Sequence, residues 1–316
     1  MHLSYTQVVK RPALLHRLTG LNVKEFEVLQ ESFSAQYDQQ VIQPRVSAPS
    51  RKRAAGGGQK GALPEMADKL LFILVYTRIY PLLIVQGMFF GMAESKACKW
   101  VGILLPILDA ALGRSHVRPK RAKGHSLEEI IEQFPALKDL GVLTDGTERP
   151  IRRSKDDQKQ KEAYSGKKKR HTKKHVTLTH PKTQYILATS EEANGSKHDK
   201  KILDEAALSC TTPIPMSADK GFQGLELGNA VVVTPIKRKR KKKGQPREEL
   251  TPAQKEHNRQ LAQTRISIEL SLAGFKRNRS VTDILRNTRQ GMSDCLALVA
   301  MGLHNLRVSM RASYQY

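Results

Sequence analysis

The sequence predicts an all-α N-terminal region followed by an α/β domain. Three observations carry this. Apolar residues recur at helical spacing from about residue 5 to residue 113. Two apolar runs then each deliver an aspartate: VLTDGTERPI at 142–151 with Asp145, and PIPMSADKGFQG at 213–224 with Asp219. Between them, residues 173–179 and 184–190 alternate as the arms of a hairpin.

Composition narrows the partner. The 316 residues carry 54 Lys+Arg against 30 acids, a net charge of +24, which favours a polyanion. A ribosomal or chromatin-like basic protein would not embed acids in apolar strands. Cys98, Cys210 and Cys295 are odd in number and far apart, so the chain reads as cytoplasmic and without a disulfide framework. No CxxC pair exists to build a structural zinc site. The N-terminus lacks a signal-peptide apolar core. The stretch 70–92 resembles a membrane span, but Arg78, Pro81 and Gln86 interrupt it. It is read as two buried helices, with no membrane partner.

In order, residues 1–40 form a helical hairpin, with Leu14, Leu15 and Leu18 on one face and Asn22 capping a helix that carries Phe26, Leu29 and Phe33. The hairpin serves dimerisation, DNA end binding, or simply as a prop. Residues 41–61, with Pro44, Pro49, a basic triplet at 51–53 and glycines at 56–58, are a basic linker. Residues 62–113 suit a helix-turn-helix module, with a turn at Gly91 and a second long helix over 96–112. In such a motif the second helix enters the major groove by its N-terminal residues, here Ser95, Lys96 and Lys99. An ordinary helical subdomain is the other reading. Residues 114–140 are a connector and a helix capped by Ser126. Residues 141–316 are the α/β domain, with a polar loop after Asp145 and a basic insertion at 235–251.

Within that domain RISIELSLAGFKR, 265–277, puts Glu269 on a long helix. Arg265, Glu269 and Lys276 share one stripe, and residues 266, 270 and 273 form an apolar stripe expected to face the sheet. Asp145 and Asp219 are 74 residues apart; Asp219 and Glu269 are 50 apart. Each acid alone has a plainer account: a turn-forming Asp-Gly, a helix cap, a partner for Arg265. Glu148 and Asp199 compete with them as ligands.

DGTE, ADKGFQG and the RxxxE helix, in this order, resemble DDE-type transposases of bacterial insertion sequences, of the insertion-sequence-five and Harbinger-like group. The resemblance runs from about residue 5 to 308, and Gly195, Ser196, His198 and Asp199 resemble the family's GxxHD turn. It implies a ribonuclease H-like catalytic domain, a mixed five-stranded sheet with helices on both faces. It implies Asp145, Asp219 and Glu269 as catalytic metal ligands for two Mg²⁺ or Mn²⁺ ions, Asp145 bridging both. Carboxylates suit such hard cations, and two metals serve in-line displacement at phosphorus. The implied partners are double-stranded DNA, as terminal inverted repeats and target, and a second copy of the chain in a homodimer or higher homo-oligomer, within the bacterial nucleoid.

Charge adds candidates for DNA contact: Arg152, Arg153, Lys167, Lys168, Lys169 and Arg170 in the polar stretch, Lys220 after the second aspartate, and Lys237, Arg238, Lys239 and Arg240 in the basic run. Arg265 and Lys276 join them, with salt bridging the other role for Arg265. Two rivals remain beside the transposase: a non-catalytic DNA-binding protein, and a metal-dependent endonuclease that cannot join strands.

Overall fold

The computed structural model describes residues 2–47, 61–238 and 249–311. The basic triplet at 51–53, the glycines at 56–58, and Lys239 and Arg240 lie outside the described residues. Two compact units emerge: Met1–Arg118 with Phe275–Tyr316, and Pro119–Gly274. These units divide after Arg118 and before Phe275, not at 141. Residues from 275 onward fold with the N-terminal helices.

The first unit holds α1 (Tyr5–Val8), α2 (Pro12–Thr19), α3 (Val23–Tyr37), α4 (Gln43–Val46), α5 (Met66–Ile79), α6 (Leu83–Phe89) and α7 (Glu94–Arg114). Gly20 ends α2 at φ 79°, a conformation glycine adopts without a Cβ penalty. Two residues on, Asn22 accepts from the Glu25 amide and Glu25 reaches back to the Asn22 amide, a capping box that starts α3. Phe26, Leu29 and Phe33 are buried as the periodicity requires. Helix α5 is apolar on every side, and Leu70 to Val75 are fully enclosed, so it runs through the middle of the bundle. Gln86 of α6 is buried with them because its side-chain amide donates to the Phe72 carbonyl at 2.9 Å. None of the helices among the described residues is long and apolar enough to cross a membrane.

The second unit holds β1 (Lys120–Arg121), α8 (Leu127–Ile131), α9 (Leu137–Leu140), β2 (Val142–Pro150), α10 (Asp157–Ala163), β3 (Tyr164–Ser165), β4 (Arg170–Thr179), β5 (Ile186–Thr189), β6 (Ala193–Asn194), α11 (Asp199–Ala206), β7 (Pro215–Ser217), β8 (Val231–Val233) and α12 (Pro252–Phe275), whose last residue passes into the first unit. The last helix, α13 (Met292–Ser309), belongs to the first unit, with Leu296, Val299 and Leu303 inward.

The sheet runs β1-β5-β4-β2-β7-β8, with β3 and β6 pairing the outer half of β4. The pair β2–β4 is antiparallel, while β2–β7 and β7–β8 are parallel. This is a mixed sheet compatible with a ribonuclease H-like domain. Three expectations need correcting. Asp145 does not close its strand: β2 continues five residues to Pro150, because β4 pairs with it throughout. The polar stretch after it is not all loop; Asp156 caps α10 by accepting from the Lys159 amide at 2.8 Å. On α12 the buried residues are Leu261, Ile268, Leu272 and Phe275, whereas Ile266 and Leu270 are half exposed. The apolar stripe read from 266, 270 and 273 faces away from the core.

One contact ties the connector to the sheet. Glu128 Oε1 accepts from the Thr211 and Thr212 amides, both at 2.8 Å, and from both hydroxyls. Desolvation would raise its pKa, but these bonds outweigh it and hold the carboxyl at about 2. The turn that leads into β7 is thereby fixed to the start of α8.

Candidate active site

Side chains alternate along a strand. On β2, Leu143, Asp145, Thr147 and Arg149 share one face; Thr144, Gly146 and Glu148 share the other. Leu143 packs with Ile268 and Leu272, so the first face is the one α12 covers. Arg265 lies one turn before Ile268 on that helix, and its Nη2 stands 3.5 Å from Asp145 Oδ2. Asp145 Oδ1 accepts from the Gly146 amide at 2.8 Å.

The second aspartate reaches the same level through strand register. Val142 pairs with Met216 and Leu143 with Ser217 in parallel, an offset of 216 − 142 = 74 residues. Asp219 follows Ser217 by two residues, as Asp145 follows Leu143 by two. Asp219 also caps the 3₁₀ turn Lys220–Phe222, with Oδ1 accepting from the Gly221 amide at 2.6 Å. The capping role therefore coexists with a place at the sheet edge.

The Asp145 carboxyl is shifted by burial and by the charges around it. Burial pushes the Asp145 carboxyl up, and the charge of Asp219 adds to the rise. Arg265, the Gly146 amide and Lys167 pull the other way. Lys167 lies in the exposed turn before β4. The ion pair that Arg265 makes here is with Asp145.

Glu269 is exposed on α12, one turn beyond Arg265 on the same flank. Among the described residues, no three His, Cys, Asp or Glu side chains are grouped to hold a metal ion. Asp145 lies on β2, Asp219 just beyond β7, and Glu269 on α12. The aspartate pair suits a divalent cation. Its donors are carboxylate oxygens, and a cation would relieve the burial and repulsion that raise Asp145.

Glu148 and Asp199 do not join this pair. They lie on the opposite face, held by Lys174 of β4, whose Nζ is 3.6 Å from Glu148 Oε1 and 3.2 Å from Asp199 Oδ1. Thr172 adds a hydroxyl bond to Glu148 at 2.8 Å. Lys174 was not singled out from the sequence; in a run of lysines, only its inward register on β4 marks it. The same cluster explains Gly146: a Cβ there would sit 2.7 Å from Asp199 Oδ2.

The basic candidates are distributed. Arg152, Arg153, Lys167, Lys168, Lys169, Arg170 and Lys220 are exposed in the second unit, as are Lys237 and Arg238. Arg153 also donates to Gln160 at 2.6 Å. Lys276 is exposed but falls in the residues that fold with the N-terminal helices. Ser95, Lys96 and Lys99 are exposed in the first turns of α7, while Leu104 and Leu108 are core.

Residues 144–305 match the family of DDE superfamily endonucleases. A probable transposase for insertion sequence element IS702 from Microchaete diplosiphon is 28% identical over 267 residues, covering 84% of this chain and 89% of that protein. No solved structure matches the chain.

Proposed function

This chain belongs to the DDE superfamily endonucleases, and from that premise we propose that it is a transposase. It binds the terminal inverted repeats of its element, cleaves DNA at the element ends, and joins the freed 3′-OH ends to target DNA. The observation that carries the reading is the shared 74-residue offset: the parallel register of β2 and β7 matches the spacing of Asp145 and Asp219 in the sequence.

Asp145, Asp219 and Glu269 would hold magnesium or manganese as two ions, which when bound supply activation of the attacking oxygen and stabilisation of the leaving one. Arg265 steadies Asp145 from α12 and offsets part of the burial that raises its pKa. Lys167 and Lys220, exposed on either side of the aspartates in sequence, offer charge to the phosphates of a docked strand. The first turns of α7, with Ser95, Lys96 and Lys99, enter the major groove at the inverted repeat. A second copy of the chain pairs the two ends.

Incubation with element-end DNA and Mg²⁺ tests this. Wild-type protein should cut and join. Asp145→Asn should lower cleavage roughly a thousandfold or more while end binding persists. Binding without any cutting by the wild type would leave a non-catalytic DNA-binding protein, and cutting without joining an endonuclease. Undiminished cutting by Asp145→Asn would remove Asp145 from the reaction.

A further inference from the structure

A second concentration of charge lies in the first unit, made of residues that none of the basic motifs above includes. Arg78 stands in the last turn of α5, and Arg307 in the last turn of α13. The segment between α12 and α13 supplies Arg277, and Arg311 follows α13. Both elements pack against the 3₁₀ turn Arg279–Val281, which draws the three stretches of chain together. Arg78 Nη1 donates to the Arg277 carbonyl. Its side chain also lies along Gly20, where the site of a Cβ would be 3.5 Å from Arg78 Cδ.

Arg307 is the hub. Only 8% of it is exposed, and its charged neighbours are Arg277, Arg78, Arg311 and Glu25. Burial first, then repulsion from Arg277 and Arg78, brings its pKa down to about 10. Arg78 is lowered for the same two reasons, burial and Arg277. Glu25, the carboxylate that faces the group, already accepts from the Asn22 amide in the capping box of α3. Three further guanidinium groups and the Glu25 carboxylate thus surround Arg307.

A helix C-terminus accounts for one arginine at each end, since cations offset its partial negative charge. Arg307 does this through the Leu303 carbonyl at 3.2 Å. That explanation needs neither Arg277 nor Arg311, both exposed at the rim. Guanidinium forks match phosphate oxygens in geometry as well as in charge.

We propose that Arg78, Arg277, Arg307 and Arg311 form a phosphate-binding site, with Arg307 as the buried base and Arg277 and Arg311 as the accessible rim. The ligand is a phosphate group, either free or in a DNA backbone; only the DNA source rests on the proposed transposase role. Occupied, the site would neutralise the repulsion among the arginines and so stabilise the first unit.

The test uses the full chain and the double variant Arg277→Gln/Arg311→Gln. Both side chains are exposed, and the Arg277 carbonyl that receives Arg78 is retained. Thermal unfolding is followed in inorganic phosphate and in chloride at matched ionic strength. Binding to a random-sequence duplex is followed against salt concentration. Phosphate should raise the wild-type Tm above its value in chloride, and the double variant should lose that rise. The salt slope for DNA should flatten by about two in the variant. Loss in the phosphate arm alone identifies a free phosphate as the ligand, and a changed slope identifies the backbone. If the variant matches the wild type in both arms, the site does not exist. Neither arm measures cleavage, so an inactive nuclease would leave this inference standing.

Discussion

The two faces of β2 handle acidic side chains in opposite ways. On one face Glu148 and Asp199 share Lys174, and Thr172 adds a hydroxyl, so the charge is matched close to where it arises. On the other face Asp145 feels the charge of a second aspartate and is only partly offset by Arg265 at 3.5 Å. The first arrangement serves the fold. The second leaves a buried carboxyl with its pKa raised, a condition that a bound cation would relieve. Residues next to each other on one strand therefore divide into structure and chemistry by which way they point.

The widest gap between the faces should be in activity. Asp145→Asn is expected to abolish cleavage, while Glu148→Gln should lose cleavage only in proportion to any loss of folded protein. Assays of DNA cutting beside circular dichroism of each variant measure this. Loss of cutting by well-folded Glu148→Gln would bring Glu148 into the reaction and erase the contrast.

Stability should show the reverse order. Lys174→Met leaves two part-buried carboxylates without their shared cation. A cost of about 3 kcal/mol is expected, read as a lower urea midpoint. A smaller cost, about 1–2 kcal/mol, is expected for Gly146→Ala, because the new methyl group must push Asp199 off Lys174. An unchanged midpoint for Gly146→Ala would mean that Asp199 yields freely and the cluster is loose.

How far each face could be read beforehand follows from the same contrast. The aspartate pair was legible because the apolar runs around Asp145 and Asp219 mark two strands, and equal strand levels preserve the sequence spacing. The Lys174 cluster was not, since its members are ordinary charged residues in a stretch full of them. The outer half of β2 was missed for a similar reason: Glu148, Arg149 and their partners on β4 are polar, so no apolar pattern announces a strand there. Helix α12 offered two apolar stripes, and the one with Ile266 and Leu270 was mistaken for Leu261, Ile268, Leu272 and Phe275. Only the packing of Leu143 decides between them. Nothing local in residues 275–316 says that they fold with the N-terminal helices.

The smallest expected effect is also the most diagnostic of the strain on Asp145. A carboxyl whose pKa is higher folded than unfolded binds more protons in the folded state through the intervening range. Stability therefore falls as pH rises through that range, and the whole penalty is present above it. Asparagine cannot ionise and escapes the penalty. Asp145→Asn should thus unfold at a higher temperature than the wild type at pH 7, by on the order of 2 °C. The gain should shrink as pH is lowered and vanish below the ordinary aspartate value of 3.8, where both proteins carry a neutral side chain. Parallel thermal scans from pH 3 to 8 give the curve. A variant less stable than the wild type at pH 7 would mean that Arg265 more than compensates the burial of Asp145, and the two faces of β2 would then differ in function without differing in strain.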